Sequence, residues 1–330
     1  CQMAEDYYPS LIEPLKKAFE TGNWQPNGGM WVESDCNIPS GESLVRQFLE
    51  GRKKTMEVFG YCGDTLWLPD VFGYSPALPQ IMKGCGIKYF VTAKLNANDT
   101  NPFPHATFDW EGIDGTTVFA HRLVCQERGY NAQVTPTIHK DCWDHVPKKE
   151  IQDSTLSAVG YGDGGGGATR EMCEYARRMK DLEGAMKTDF VNLSDFLAAL
   201  EEKSAKRPRW MGELYFEEHR GTYTAQARTK RYNRKLEFLL REVELLFAQI
   251  HANGGAYPSA QLERHWRTLL TNQFHDILAG SSIRNVHEVG EEQYRLMTED
   301  LNRLKDEGMA TLAKCLNLSG QGNPQVLHNP

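Results

Sequence analysis

Apolar positions along the chain fall into two regimes that change near residue 226. Before that point short apolar runs alternate with helix-like stretches of about ten to fifteen residues, the pattern of strands separated by helices. Leu11, Leu15 and Phe19 recur at helical spacing, and Thr21-Gly22 closes that helix. Ser40 with Glu42 opens another through Leu44, Val45, Phe48 and Leu49, predicted to end at Gly51. KYFVT at 88–92 and SAVGYG at 157–162 read as strands, and TFDWEGIDGTTVFAHR at 107–122 as a hairpin turning at Asp114-Gly115. The alternation predicts an α/β fold with parallel strands.

After residue 226 Gly and Pro become rare and the period lengthens. Tyr232, Leu236, Leu239, Leu240, Val243, Leu246 and Ile250 form one stripe, with Arg234, Glu237, Arg241 and Glu244 placed on the surface. Pro258-Ser259 restarts the chain, and Leu262, Trp266, Leu269 and Leu270 carry a second helix towards Gly280. A third runs from about His287 to Leu316, so three helices with short connections predict an antiparallel bundle.

Composition narrows the function classes. With 40% apolar and 25% charged residues the chain is an ordinary globular one, which excludes disorder. A net charge of -7 counts against nucleic acid or a membrane surface as partner, and no apolar run is long enough to span a bilayer. Eight cysteines without a CxxC pair argue against zinc fingers and disulfide scaffolds and favour a reducing compartment, hence the cytoplasm.

Three segments carry candidate chemistry. In WLPDVFGYSPALPQ, at 67–80, Asp70 directly follows a short apolar run, the place where a parallel α/β protein presents functional groups; the competing reading is a helix cap or a turn closed with Gly73. In YGDGGGGATR, at 161–170, one acid precedes four glycines and a helix. A phosphate cradle fits poorly, since no GK[ST] or GxGxxG spacing is present and Asp163 would repel phosphate. Asp163 on an uncrowded loop suits a general acid beside a bulky polyhydroxyl substrate, against the alternative of a flexible linker. In NQFHDILAGSS, at 272–282, His275 and Asp276 pair a metal-ligand type with a carboxylate, against the alternative of a packing histidine. ELYFEEHRGTYT, at 213–224, is either a binding wall or a charged edge strand and loop.

The ordered set WVESDCNIPSGESLVRQ, WLPDVFGYSPALPQIMK, FDWEGIDGTTVFAHR, YGDGGGGATR, EEHRGTYT and NQFHDILAGSSI resembles the class II α-mannosidases of glycoside hydrolase family 38, most closely their cytosolic and bacterial branch. The resemblance spans nearly the whole chain. It implies an incomplete (β/α) barrel-like catalytic domain over 1–225, a three-helix bundle over 226–316 and the start of a C-terminal β-domain over 317–330. It also implies a retaining, exo-acting, zinc-assisted hydrolase of mannose-containing oligosaccharides, and it is compatible with a homo-oligomer.

Residue by residue, the resemblance makes Asp70 both nucleophile and metal ligand, His275 a zinc ligand, and Asp276 a contact to sugar hydroxyls. Lys94 falls where a basic side chain lies near the nucleophile, and Trp31, Asp35, His219 and Tyr223 fall on pocket-lining segments. Golgi-type members carry a paired acid in the glycine loop; here Asp163 is followed by Gly164, which leaves Asp163 as the acid/base candidate. Two departures bear on activity. The family's HxD motif, with two further zinc ligands, is expected upstream of residue 1, and Ala168 stands where the family usually has proline. The alternative reading is therefore a metal-free sugar-binding or scaffold fragment that does not turn over.

Overall fold

The computed structural model describes residues 2–125, 130–163, 165–314, 319 and 322 of the 330. The expected β-domain start at 317–330 lies outside the described residues apart from 319 and 322. The chain divides into two compact units, one of residues 1–37 and 47–220, the other of residues 38–46 and 221–330.

The first unit is built on a five-stranded sheet of order β1-β2-β4-β3-β5, with β1 Thr65–Trp67, β2 Tyr89–Thr92, β3 Thr107–Glu111, β4 Thr117–Arg122 and β5 Arg209–Met211. β1, β2 and β4 run parallel, β3 is antiparallel to β4, and β5 is parallel to β3. The predicted α/β class with a parallel core holds, and among the described residues the strands form an open sheet rather than a closed barrel. All four residues of β2 are buried, because a central parallel strand is covered on both faces. Tyr89 and Val91 pack with Phe119 and Leu123 against Leu193, Leu197 and Leu200 of the Leu193–Lys203 helix. On the other face the Phe90 ring lies 4.9 Å from both Tyr74 and Trp110. The hairpin turns as predicted, with Gly115 at φ +85° and the Asp114 carboxylate accepting from the Thr116 amide.

Local pattern misled the reading in four places. The helix that opens after Ser40 does not end at Gly51 but continues from Gly41 to Phe59. Gly51 is there for proximity: a Cβ would lie 2.3 Å from the Met30 carbonyl carbon and 2.7 Å from the Trp31 nitrogen. SAVGYG forms no strand, only an isolated bridge at Val159 to Ala132 and one at Tyr161 to Gly166. Cys125 and Cys142 are joined in a disulfide across 17 residues, a pairing that irregular spacing does not announce.

The fourth correction belongs to the second unit, where helices Ala227–Ala252, Ser259–Thr271 and Arg284–Lys314 make up the bundle with the short helix His275–Leu278. Leu236, Leu240, Val243, Leu246 and Ile250 are buried as the stripe predicts. Glu237, placed on the surface, is 5% exposed; it accepts from the Ser40 amide, the Ser43 hydroxyl and Arg234. A buried carboxylate is tolerated because those donors replace water. Among the described residues no helix is long and apolar enough to cross a membrane.

Two measurements test this packing. Gly51→Ala removes a helix-interior glycine, worth up to about 1 kcal/mol in an open helix, yet forces the Met30–Trp31 backbone aside at about 1–3 kcal/mol. The expected net result is a lower denaturation midpoint; a raised midpoint would refute the close approach. His121, in β4, is fully buried, and that burial first, with Arg122 adjacent, pushes its imidazole down from 6.5 to about 3. The folded chain therefore binds fewer protons than the unfolded one between these values, so stability present above pH 6.5 is lost as pH falls towards 3. His121 accounts for at most about 1.4 kcal/mol per pH unit of that loss. His121→Gln should flatten the acid side of a stability–pH curve by that slope, and an unchanged slope would remove His121 as its source.

Candidate active site

The parallel strands all end on the same side of the sheet, and the residues that follow them converge there. Asp70 lies three residues beyond β1, on backbone still held to its neighbour by the Leu68 amide on the Val91 carbonyl and the Ala93 amide on Pro69. Lys94 follows β2, and its ammonium pairs with Asp70 Oδ1 in a short contact. Both side chains are mostly enclosed, at 14% and 19% exposed. Tyr130 follows β4 and gives its hydroxyl to Asp70 Oδ1 at 2.9 Å. The same phenol oxygen is 3.1 Å from Asp163 Oδ1. The two carboxylate oxygens are thus no further apart than these two lengths laid end to end, about 6 Å. Burial first, and then the charge of Asp70 and its hydrogen bond, pushes the Tyr130 phenol well above the usual tyrosine range, so it remains a donor.

Asp163 is exposed, with φ +59° in the left-handed region that aspartate tolerates better than most side chains. Of the glycines around it, Gly160, Gly162 and Gly166 sit where a Cβ would meet neighbouring atoms at 3.0 Å or less, whereas Gly165 and Gly167 face open space. Tyr161 and Gly166 exchange both backbone hydrogen bonds, at 2.7 and 3.0 Å, closing the loop on itself.

Aromatic rings form the wall behind Asp70. The Lys94 ammonium stands 5.0 Å from the Phe72 ring centre and 5.5 Å from that of Phe216, within cation–π range. His219 meets the same two rings edge-on at 4.6 and 4.9 Å. Glu217, in the segment read as wall or edge, is a structural clip: it accepts from the Thr100 and Asn101 amides at 2.8 and 2.7 Å. The Thr100 amide does most to hold it below the usual carboxylate range. Asp35 is buried and accepts from the Asn37 amide at 2.8 Å. Asn37 in turn donates to the Phe72 carbonyl, and Cys36 bridges to Tyr74, so this segment runs beside the one bearing Asp70. Trp31 is anchored by its amide on the Gln47 carbonyl at 2.8 Å.

The other sequence candidates belong to the second unit. His275 opens its short helix with its ring buried, 4.3 Å from the ring centre of Phe274. Its Nε2 is 3.7 Å from Asp276 Oδ2. The SS of HDILAGSS holds Asp276 in place: the Ser281 hydroxyl donates to Asp276 Oδ1 at 2.7 Å, and the Ser281 and Ser282 amides donate to its carbonyl. Tyr223 ends a short 3-10 turn and is 40% exposed. Imidazole nitrogen and carboxylate oxygen are the donors a divalent cation of zinc type takes, so the donor chemistry of His275 and Asp70 fits such an ion.

In the first unit the structure therefore brings together Asp70, Lys94 and Asp163, with His219 behind them, and it adds Tyr130, which the sequence reading did not single out. A lone tyrosine after Arg128-Gly129 carries no periodic or motif signal.

Comparison with known proteins bears on the family and the fold. Residues 2–213 match the glycosyl hydrolases family 38 N-terminal domain, and residues 217–312 the alpha mannosidase middle domain. "Alpha-mannosidase 2C1" of Mus musculus is 40% identical over 328 residues, covering 99% of this chain and 31% of that protein. "Alpha-mannosidase G" of Dictyostelium discoideum is 42% identical over 289 residues, covering 87% and 26% respectively. The chain thus spans between a quarter and a third of the length of these curated relatives. An alpha-mannosidase structure from Enterococcus faecalis superposes with a TM-score of 0.81 at 22% identity, over 94% of this chain and 36% of that one, which shows a shared fold. With a family match over more than half its length and the sheet, helices and strand-end residues described above, this chain belongs to glycosyl hydrolases family 38.

Proposed function

We propose that the chain carries the catalytic region of a retaining, exo-acting α-mannosidase that removes terminal α-linked mannose from mannose-containing oligosaccharides. The observation that carries this reading is the single phenol hydrogen-bonded to both Asp70 and Asp163, which limits their oxygens to about 6 Å. Retaining pairs stand about 5–5.5 Å apart, whereas inverting pairs leave about 6.5–9.5 Å for a water. Asp70 attacks the anomeric carbon as its bond to the leaving oxygen breaks, and Asp163 gives that oxygen its proton. Asp163 then takes a proton from water, whose oxygen attacks the same carbon and releases Asp70. Lys94 orients the nucleophile from the neighbouring strand.

Asp70 and His275 are the residues that would hold a divalent cation, zinc by family resemblance, with Asp276 on the sugar hydroxyls. Such an ion, when bound, supplies Lewis acidity and a template for two hydroxyls of the sugar. Trp31, Asp35, His219 and Tyr223 complete the substrate-binding set in this reading. The cytoplasmic location expected from the cysteines belongs to the same proposal.

Activity of the intact enzyme on α-mannosides separates the roles. Asp163→Ala should lose about 10²–10⁴-fold on unactivated substrates and recover its glycosylation step on those with very acidic leaving groups, which need no proton. Asp70→Ala should recover on neither. An Asp163→Ala enzyme equally slow on both would remove its acid/base role, and binding of mannosides with no turnover by the wild type would put the sugar-binding reading in place of the enzyme. For the metal, His275→Ala should lower the divalent ion content of the purified protein as read by elemental analysis. Unchanged stoichiometry would exclude His275 as a ligand.

A further inference from the structure

Asp163 is the least enclosed of the proposed reacting groups, on an exposed loop rich in glycine, yet proton transfer needs it held within a few tenths of an ångström of its place. What meets that loop is Tyr130. The two segments run side by side: the Ala132 amide donates to the Ala158 carbonyl at 2.9 Å, and the Gly160 amide to the Ala132 carbonyl at 3.2 Å. Two residues before and after this pairing, Tyr130 and Gly162 come into face contact. A Cβ on Gly162 would lie 2.6 Å from Tyr130 Cδ2 and Cε2 and 2.3 Å from Asn131 Oδ1, so the backbone preceding Asp163 rests directly on the tyrosine ring. The ring itself packs on the apolar cluster of Val91, Phe119, Leu123 and Leu197, which belongs to the sheet and the helix covering it. Its hydroxyl then reaches both carboxylates.

We infer that Tyr130 is a positioning residue for the hydrolytic reaction: its ring is the platform for the Gly162–Asp163 backbone, and its hydroxyl sets the acid/base carboxylate opposite the nucleophile. The inference rests on the assignment of Asp70 and Asp163 in the proposed function and goes beyond it by naming what fixes their separation. One phenol proton serves both partners in turn. While Asp163 carries the acid proton it donates to the phenol oxygen or to the leaving oxygen, and the phenol donates to Asp70. Once Asp70 is esterified and Asp163 ionised, the phenol rotates and donates to Asp163. No proton passes through the tyrosine, and none is gained or lost.

The test uses the intact enzyme and a series of α-mannosides running from an alkyl to a dinitrophenyl leaving group. Tyr130→Phe keeps the ring and removes the hydroxyl. Its kcat/KM should fall about 10–100-fold on the alkyl mannoside, the scale of a misplaced catalytic group, and change little on the dinitrophenyl one. Gly162→Ala, which displaces the platform from the other side, should show the same leaving-group dependence. In the Asp163→Ala background Tyr130→Phe should cost little more, because both changes remove one function. Losses equal on all substrates, or losses that multiply in the double variant while Asp163→Ala alone remains leaving-group dependent, would overturn the positioning role and leave Asp163 as the acid. If Asp163→Ala showed no leaving-group dependence, the acid/base assignment would fall and this inference with it.

Discussion

A carboxylate enclosed behind aromatic rings needs donors in place of the water it has lost, and Asp70 receives them from the segments that follow two neighbouring strands. Lys94 after β2 and Tyr130 after β4 both converge on Oδ1, and the parallel pairing of β1, β2 and β4 is what puts all three on one side. Had β4 been reversed, its following loop would lie at the opposite end of the sheet. The topology therefore precedes the chemistry: once the strands pair in this order, a carboxylate, an ammonium and a phenol are neighbours without any local sequence proximity.

Around that centre, close approach matters more than flexibility. Gly51 sits inside a helix, where it is unfavourable by propensity, because the Met30–Trp31 backbone occupies the space of a side chain. Gly162 does the same against the Tyr130 ring. A phosphate-binding loop would also be glycine-rich, but its glycines would expose backbone amides to an anion; here Tyr161 and Gly166 spend theirs on each other. The loop's composition is the same in either case, and for Tyr161 and Gly166 it is the partner of the amide that separates the two readings.

The second unit solves a different problem with the same chemistry. Glu237 breaks the polar face of its helix and is buried, yet it is satisfied by Ser40, Ser43 and Arg234, which are far from it in sequence apart from the arginine. At Asp276 the Ser281 hydroxyl donates to the carboxylate, while the Ser281 and Ser282 amides of the turn that follows donate to the backbone carbonyl. The hydroxyl bond orients the carboxylate before any ligand arrives, and for a group proposed to meet sugar hydroxyls such orientation lowers the entropy cost of binding.

The sequence by itself determined the elements whose signal is periodic or local: the bundle stripe from Leu236 to Ile250, the hairpin at Asp114-Gly115 and strand β2. Ordered motifs also sufficed to mark Asp70, Asp163 and His275 as candidates and to indicate the family. Only the tertiary structure decided that Gly51 continues its helix, that 157–162 makes bridges instead of a strand, that Glu237 is inside and that Cys125 pairs with Cys142. It also decided that Tyr130 stands between two carboxylates. The division has a physical cause. Periodicity reports which face a residue presents, and turn residues report local backbone angles, but a hydrogen bond spanning 60 residues or a missing Cβ beside another segment is set by the partner, which no local window contains.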